Sequence, residues 1–207
     1  MQESGQEKTR VVNLAEKREM LAETVKELLA RSVLGFARYR LLWLLVCLLG
    51  TLLAGVMIDV FQAQLDSLAV LLVFVPAIMA MGGNTGIQTS MVTVRNLATG
   101  QMAQSSIVST ITYELTTAVI MGLVLGLLVF VVAQFWTVET VLGACVGVAM
   151  LAAILFSAAL GLLVPLFFRS IGLDPAVASG PLITTQNDVF SLAIYFAIAR
   201  ISLDVLF

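Results

Sequence analysis

The chain has 207 residues, of which 60% are apolar and only 12% charged, whereas a soluble domain usually carries about 25% charged residues. Residues 1–40 hold fourteen charged side chains and the next 167 hold ten. This distribution is typical of a membrane protein with a short polar leader. A nucleic-acid-binding protein is excluded because the sequence has no basic stripe. The sequence contains no His, so imidazole cannot act as a ligand, a base or a pH sensor.

Residues 7–30 are predicted to form an amphipathic surface helix. Apolar residues recur there at spacings of three and four, which gives a helix one apolar face; they are Val11, Leu14, Leu21, Val25 and Leu28. We expect this helix to lie on the membrane or at a cytoplasmic mouth, with a regulatory role as the alternative. The first 30 residues are not a cleavable signal peptide, because they are charged throughout and have no apolar h-region.

Five apolar stretches are each long enough to cross a bilayer, which takes about 20 residues. They lie roughly at residues 40–60, 67–93, 106–133, 140–168 and 180–203. The sequence therefore predicts an all-α integral membrane protein, with a cytoplasmic helix at 1–34 and a five-helix transmembrane domain at 35–207. Cys47 and Cys145 stand alone in these runs, a placement typical of packing residues and not of a disulfide or a metal site.

Basic residues indicate the orientation, since Lys and Arg are enriched in cytoplasmic loops. With the N-terminus in the cytoplasm, Arg95 and Arg169 both fall in inner connections, and only Arg200 lies near the outer end of a helix. The outer loops then contain Asp59, Asp66 and Glu139 and no basic residue. Five spans place the C-terminus outside, and the expected location is the inner (plasma) membrane.

The second span becomes polar halfway along, although it lies at membrane depth. The sequence there is Gly82-Gly83-Asn84-Thr85-Gly86-Ile87-Gln88-Thr89-Ser90, and we expect the helix to break in this segment. An irregular backbone inside a bilayer must be packed in protein or line water, and transporters bind cations at such broken helices. The alternative is close helix packing through small residues.

The fifth span carries Asp188, the only Asp well inside an apolar run. If the helix starts at Pro181, Asp188 lies about 10 Å from the boundary. Both polar segments occupy the cytoplasmic halves of their spans, so we expect them at similar depth and facing each other. A buried carboxylate costs roughly 2.5–3.5 kcal/mol unless it is neutral, hydrated or paired. A cation is the natural counter-charge, and oxygen-only surroundings favour Mg²⁺ that keeps several waters; the alternative is a structural acceptor.

Glu114 is the other embedded acid, eight residues into the third span. It is a candidate second cation ligand or proton carrier, and equally a candidate structural acceptor for a neighbouring helix. Gly122 and Gly126 form a small-xxx-small pair, which is typical of a close helix contact. An enzyme is not expected, because no nucleophile–base pair can be assembled without His and no glycine-rich phosphate loop follows a strand.

Two motifs resemble those of the MgtE magnesium transporters. Pro76, Gly82-Gly83-Asn84-x-Gly86-x-Gln88 and Arg95-Asn96-Leu97-Ala98-x-Gly100 are similar to the family's second transmembrane helix and following loop. Asp174-Pro175-Ala176-x-Ala178-Ser179-Gly180-Pro181 with Thr184-Thr185-x-x-Asp188 is similar to its fifth helix and the preceding loop. Glu114 is also similar to an acid in the family's third helix. The resemblance covers roughly residues 35–205.

The resemblance implies a homodimer with a Mg²⁺-conducting pore at the subunit interface, lined mainly by helices two and five. The family's metal-binding aspartate matches Asp188, a backbone carbonyl one turn earlier matches Thr184, and the Gly-Gly-Asn segment lines the same path. The candidate metal residues are Asp188, Thr184, Thr185, Asn187, Gly83, Asn84, Gln88 and Glu114.

The sequence departs from the family pattern in two respects. About 35 residues precede the first span, too few for the cytoplasmic N domain and paired CBS domains of well-known members. We therefore expect a pore domain, excised or naturally short, that keeps only a segment like the connecting plug helix. Ser191 stands where a glycine is expected three residues after the aspartate, which affects the local helix packing.

The expected function is Mg²⁺ uptake down its electrochemical gradient, with Mn²⁺ and Co²⁺ as alternative ions. The expected partners are a second copy of the chain and the lipid bilayer, and no nucleic acid. A gradient-coupled exchanger or exporter with Glu114 as the coupling group is one alternative. A non-conducting membrane assembly or sensor subunit, whose polar helices merely pack, is the other.

Overall fold

The computed structural model describes residues 33–62, 69–100, 107–136 and 140–206. These ranges contain helices and turns and no strand, which confirms the all-α prediction. The helix predicted at 7–30, and the predicted outer-loop residues Asp66 and Glu139, lie outside the described residues. The helices are α1 (Val33–Gln62), α2 (Ala69–Leu72), α3 (Val75–Ala98), α4 (Ile107–Trp136), α5 (Thr140–Ser170) and α6 (Pro175–Leu206).

Five segments of the described chain are long and apolar enough to cross a membrane, as predicted. They are Arg40–Phe61, Val70–Ala98, Val108–Trp136, Thr140–Ser170 and Gly180–Ser202. The chain divides into two compact units, 1–43 and 44–207. The described part of the first unit is the beginning of α1, and the second unit contains the rest of α1 and all the other helices.

The second span is interrupted before its polar half and not within it. A turn follows α2, in which the Phe74 amide donates to the Leu71 carbonyl at 3.2 Å. Pro76 then occupies the first turn of α3, where a missing N–H leaves no helical hydrogen bond unmade. From there α3 continues as a regular helix through residues 82–90. The predicted break is therefore wrong, because the glycines of this segment serve close helix packing instead.

The fifth span lies where it was predicted, at Gly180–Ser202, but its helix α6 begins earlier, at Pro175 and not at Pro181. The Asp174 Oδ1 atom accepts a hydrogen bond from the Ala176 amide at 2.9 Å. An Asp cap followed by Pro at the first helical position is a favoured helix start. The link between the helices α5 and α6 is consequently only residues 171–174, and Pro181 lies inside α6.

α5 packs against α3, α4 and α6 and is the central helix of the described bundle. It runs antiparallel to α4, since Gly122 of α4 lies against Leu151 while Gly126 lies against Gly147. A methyl group built on Gly126 would lie 2.7 Å from the Gly147 carbonyl oxygen, so the backbones nearly touch. The close helix contact predicted for the Gly122 and Gly126 pair is confirmed.

α5 runs parallel to α3. Ser157 lies against Gly82, and one turn further along both helices Gly161 lies against Gly86 and Ser90. The parallel pair α3 and α5 and the antiparallel pair α4 and α5 agree with the alternating directions that successive membrane spans require. The polar half of α3 is thus held against the centre of the bundle.

Candidate cation path

α3 and α6 cross at their polar segments, which are residues 82–90 of α3 and residues 179–188 of α6. Gly83 of α3 lies against Asn187 of α6, and Gly86 lies against Ile183, so the two helices run antiparallel. A methyl group built on Gly83 would lie 3.5 Å from Asn187 Nδ2, and one built on Gly86 would lie 2.7 Å from Ile183 Cγ2. The prediction that the two polar segments lie at similar depth and face each other is confirmed.

Asn187 joins the two helices from the core and does not face the outside. Its side chain is fully buried, and its Nδ2 atom donates to the Met79 carbonyl of α3 at 3.0 Å. Ser191 donates to Asn187 Oδ1 at 2.9 Å, so both ends of the carboxamide have protein partners. The sequence grouped Asn187 with the ion-facing residues, and the structure places it at the helix crossing instead.

Ser191 fills the position at which the family resemblance predicts a glycine. Its side chain is fully buried, and a methyl group built on Gly82 would lie 3.1 Å from its hydroxyl oxygen. A glycine at position 191 would leave Asn187 Oδ1 without this donor. The serine therefore fixes the orientation of the Asn187 carboxamide, whose other end holds α3.

Ser157 is a second polar link, and the sequence analysis missed it. Its hydroxyl donates to the Gly82 carbonyl at 2.6 Å from a fully buried position on α5. The available signal was that Ser157 is the only polar side chain between residues 141 and 168. Asn187 and Ser157 thus hold α3 from two sides at the start of its glycine-rich segment.

We expect Ser157→Ala to lower the stability of the helix bundle by about 1 kcal/mol, because hydrogen bonds between membrane helices contribute about 0.6 kcal/mol on average and up to about 1.7. Thermal unfolding in detergent micelles measures the change. Thr112→Ala is the matched control, since the Thr112 hydroxyl bonds only within its own helix, to the Val108 carbonyl, and is exposed. Equal melting temperatures for the two variants would contradict the role given to Ser157.

The opposite face of α3 is polar and uncovered. Asn84 and Gln88 are both exposed, and Arg95 continues the same helical face toward the end of α3. Asn84 lies in the middle of a 24-residue helix, at a depth where lipid-facing carboxamides are strongly disfavoured. This face therefore requires water or another protein surface beside it.

Asp188 and Thr184 occupy the side of α6 between its contacts with α1 and α3. Asn187 faces α3, whereas Thr185 faces α1, where a methyl group built on Gly50 would overlap it. At 3.6 residues per turn, the side chains of Asp188 and Thr184 project between these two directions. Both are half-buried. We call this side of α6, between its contacts with α1 and α3, the groove.

The hydroxyl hydrogens on this part of α6 are used within the helix. Thr184 and Thr185 donate to the Pro181 carbonyl at 3.0 and 2.8 Å, which leaves their oxygen lone pairs as acceptors. Gln186, which the sequence analysis did not select, has a buried Oε1 atom without a hydrogen-bond partner in the described structure. Thr184 and Thr185 thus offer oxygen acceptors, which suit a hard hydrated cation, whereas Gln186 lies on the opposite side of α6 from Asp188.

Glu114 lies in a different place from Asp188. It lines a cavity of about 370 Å³ between α3 and α4, together with Gln88, Arg95 and Asn96. The Thr89 side chain hydrogen-bonds to Glu114 from the α3 side. The structure therefore does not bring the two embedded acids into one site, and Gln88 borders both the exposed face of α3 and the cavity.

Neither cysteine belongs to a group of potential metal ligands within the described residues. Cys145 is buried, and Cys47 donates to the Pro181 carbonyl at 3.5 Å, in agreement with the packing role predicted for both. Within the described ranges, no group of three or more His, Cys, Asp or Glu side chains lies together.

Sequence comparisons relate the chain to known transporters. The MgtE family profile, described as a divalent cation transporter, matches residues 75–198. The magnesium transporter MgtE of Bacillus subtilis is 35% identical over 182 residues, which cover 87% of this chain and 40% of the relative. That of Enterococcus faecalis is 36% identical over 179 residues, covering 86% and 40%.

A third relative is the magnesium transporter MgtE of Thermus thermophilus, which is 31% identical over 171 residues. These residues cover 83% of this chain and 37% of that protein. The chain thus spans about 40% of the length of the relatives it matches, and the matched family region includes the polar segments of both α3 and α6.

Proposed function

Because the chain belongs to the MgtE family of divalent cation transporters, we propose that it carries Mg²⁺ across the membrane along the groove between α1 and α3. The family consists of transporters and not enzymes, and five spans make this chain a multi-pass membrane protein. The relatives are named magnesium transporters, which supports Mg²⁺ as the cargo, with Mn²⁺ and Co²⁺ as further candidates. The inner (plasma) membrane is its location.

The exposed carboxamides of Asn84 and Gln88 carry this proposal. They lie on a helix that crosses the membrane, yet no described helix covers them. Lipid cannot satisfy them, so this face must border water or a second protein surface. A second copy of the chain would close such a water-filled groove into a pore, because two-fold symmetry places the same groove on both subunits. The proposed assembly is therefore a homodimer with the path at its interface.

Asp188 is the proposed cation-binding group on this path. Its carboxylate supplies the negative charge, and the backbone carbonyl of Thr184, one turn earlier, supplies a neutral oxygen beside it. Gly83 and Asn84 of α3 form the facing wall, and Thr185 adds a hydroxyl oxygen. One carboxylate per chain fits Mg²⁺ that keeps several waters, while Asn187 and Ser157 hold the two helices at fixed spacing.

The membrane potential is the proposed driving force. With the N-terminus in the cytoplasm, as the arginines indicate, an inside-negative membrane drives a divalent cation inward by about 4.6 kcal/mol per 100 mV, twice the single-charge value. Uptake on this account needs no other energy source. Residues 1–34 are proposed to lie on the cytoplasmic side of the membrane.

We expect the purified chain in liposomes to pass Mg²⁺ inward at a rate that rises with inside-negative potential. A fluorescent Mg²⁺ reporter inside the vesicles measures the flux, and valinomycin with K⁺ gradients sets the voltage. A gradient-coupled exchanger, with Glu114 as the coupling group, would instead respond to an imposed pH or Na⁺ gradient at fixed voltage. Absence of flux from vesicles that contain folded protein would favour the non-conducting subunit.

A further inference from the structure

We propose that the cavity between α3 and α4 is a second binding site for a hydrated divalent cation, centred on Glu114 and separate from Asp188. The assignment rests on the proposed transport function and deepens it. The cavity holds about 370 Å³. A cation with six waters needs about 180 Å³, at about 30 Å³ per water, so the ion fits with its hydration shell intact.

The polar residues of the cavity lining suit a hydrated cation, and the apolar part of the lining is formed by Val92, Tyr113 and Met121. Glu114 supplies a half-buried carboxylate, and Gln88 and Asn96 supply carboxamide oxygens. The Thr117 hydroxyl donates to the Tyr113 carbonyl at 2.9 Å, so its oxygen accepts from the cavity side. Water molecules on Mg²⁺ are strong donors, and these oxygens are their acceptors. A single carboxylate with neutral oxygens is typical of sites where Mg²⁺ keeps most of its waters.

The cavity persists because α3 and α4 are held by other helices. Gly126 of α4 packs on Gly147 of α5, and Gly86 of α3 packs on Gly161 of α5. Both α3 and α4 therefore pack against α5. A gap remains between α3 and α4 at the end of α3 that carries Arg95. Glu114 lies seven residues into α4, about 10 Å along the helix. The site is thus set back from the membrane boundary but near that end of the path.

Gln88 connects this cavity to the proposed path. It is exposed on the same face of α3 as Asn84, and it also lines the cavity. A cation moving along α3 therefore passes the cavity mouth. Two sites in sequence allow an arriving ion to repel the one ahead of it, which speeds release from a site that would otherwise hold its ion.

Arg95 makes the cavity site testable by charge changes, because its positive side chain lines the same cavity as Glu114. The arginine is exposed and lies in the last turn of α3. Its charge lowers the affinity of the cavity for any cation. Removing the acid and removing the base should therefore change cation affinity in opposite directions, which a purely structural role for either residue would not produce.

Binding of Mn²⁺ to the full chain in micelles, followed by the electron paramagnetic resonance signal of free Mn²⁺, tests the assignment. We expect about three Mn²⁺ per homodimer, one shared by the two Asp188 carboxylates and one in each cavity. Glu114→Gln should leave about one, and Asp188→Asn should leave about two. Cobalt(III) hexaammine, which cannot release its ligands, should displace Mn²⁺ from the cavities because the site binds a complete hydration shell.

Arg95→Gln is the second variant, and its exposed position makes it harmless to folding. It should tighten the cavity site about three- to tenfold at low salt, with less effect at high salt, where partly exposed charges are screened. Arg169→Gln is the matched control, because Arg169 lies in the last turn of α5 and is not among the residues lining the cavity. It should leave Mn²⁺ affinity unchanged.

The outcomes separate this inference from the proposed function. Unchanged Mn²⁺ binding in folded Glu114→Gln, or weaker binding in Arg95→Gln, would overturn the cavity site whatever Asp188 does. Normal flux in Asp188→Asn, together with loss of two Mn²⁺ per dimer in Glu114→Gln, would overturn the Asp188 path and leave the cavity site standing. A cavity filled by a phospholipid phosphate would show the reverse pattern, with ligand loss in Arg95→Gln and no Mn²⁺ at the cavity.

Discussion

Asp188→Asn is expected to reduce Mg²⁺ flux about a hundredfold or more while the protein stays folded. Asn has nearly the shape of Asp, so the helix packing around position 188 is preserved. The negative charge is lost, and a carboxylate and a dication about 5 Å apart attract each other by about 7 kcal/mol at an effective dielectric constant near 20. A hundredfold loss of flux requires only about 2.7 kcal/mol of this attraction. Flux into liposomes under an inside-negative potential measures the loss.

Asp59→Asn is the matched control for this result. Asp59 is an exposed acid near the end of α1, and the same loss of charge there should change flux by less than about twofold, as expected for a screened surface charge. Normal flux through a folded Asp188→Asn protein would contradict the proposed binding role. A similar loss in both variants would show that net surface charge, and not a binding site, controls the flux.

Gly161→Ala should destabilise the helix bundle by about 2–3 kcal/mol, through overpacking at the contact between α3 and α5. A methyl group built on Gly161 would overlap the Gly86 carbonyl oxygen and lie 3.0 Å from Thr89 Cβ and 3.1 Å from the Ser90 amide. Two of these three groups belong to the backbone, so no side chain can swing away. The helices must separate, and the polar face of α3 moves with them.

Gly55→Ala is the matched control, because a methyl group built there has no atom within 4 Å. It should stabilise the protein by about 0.5–1 kcal/mol, since Ala favours the helical state over Gly. Unfolding in a detergent mixture, followed by the exposure of buried Cys145 to a thiol reagent, measures both variants. Equal stabilities would contradict the close contact of α3 and α5.

The location and direction of the spans could be predicted from the sequence. Runs of about 20 apolar residues are required by the bilayer, and the alternation of directions then brings the polar halves of the second and fifth spans to one level. The structure confirms that Gly83 lies against Asn187. This part of the site follows from topology alone, without knowledge of any side-chain contact.

The backbone at the site could not be predicted, because glycine has two opposite uses. The segment 82–90 permits an unwound helix and also permits a tightly packed one, and only the neighbouring helices decide between them. Here Ser157 and Asn187 fill the space beside Gly82 and Gly83, so the helix remains regular. The start of α6 is likewise set by Asp174, which caps the helix by accepting a hydrogen bond from the Ala176 amide. The family resemblance did not reveal this cap.

Which polar residues share one site could not be predicted from the sequence either. Asn187 and Asp188 are adjacent in the chain, but one turn of helix carries 3.6 residues, so one faces the core and the other faces the groove. Glu114 is at a plausible depth for the same path, yet α5 holds α4 apart from α3, and Glu114 lines its own cavity. Which side of a helix faces which neighbour depends on packing contacts far apart in sequence.

The proposed cation path depends above all on whether the exposed face of α3 borders water. Thiol reactivity at position 84 tests this most directly. In a background of Cys47→Ser and Cys145→Ala, which keeps a donor to the Pro181 carbonyl, single cysteines would be placed by Asn84→Cys and, as a control, by Leu127→Cys. Leu127 is 64% exposed on the apolar helix α4, where we expect it to contact lipid. A charged, membrane-impermeant methanethiosulfonate reagent would be applied to the protein in liposomes.

We expect Asn84→Cys to react and Mg²⁺ to slow the reaction, because the thiol borders the proposed water-filled cation path. Leu127→Cys should stay unmodified, since a thiol in hydrocarbon does not ionise. Reaction at position 84 no faster than at position 127, with both proteins folded, would contradict a water-filled path along α3.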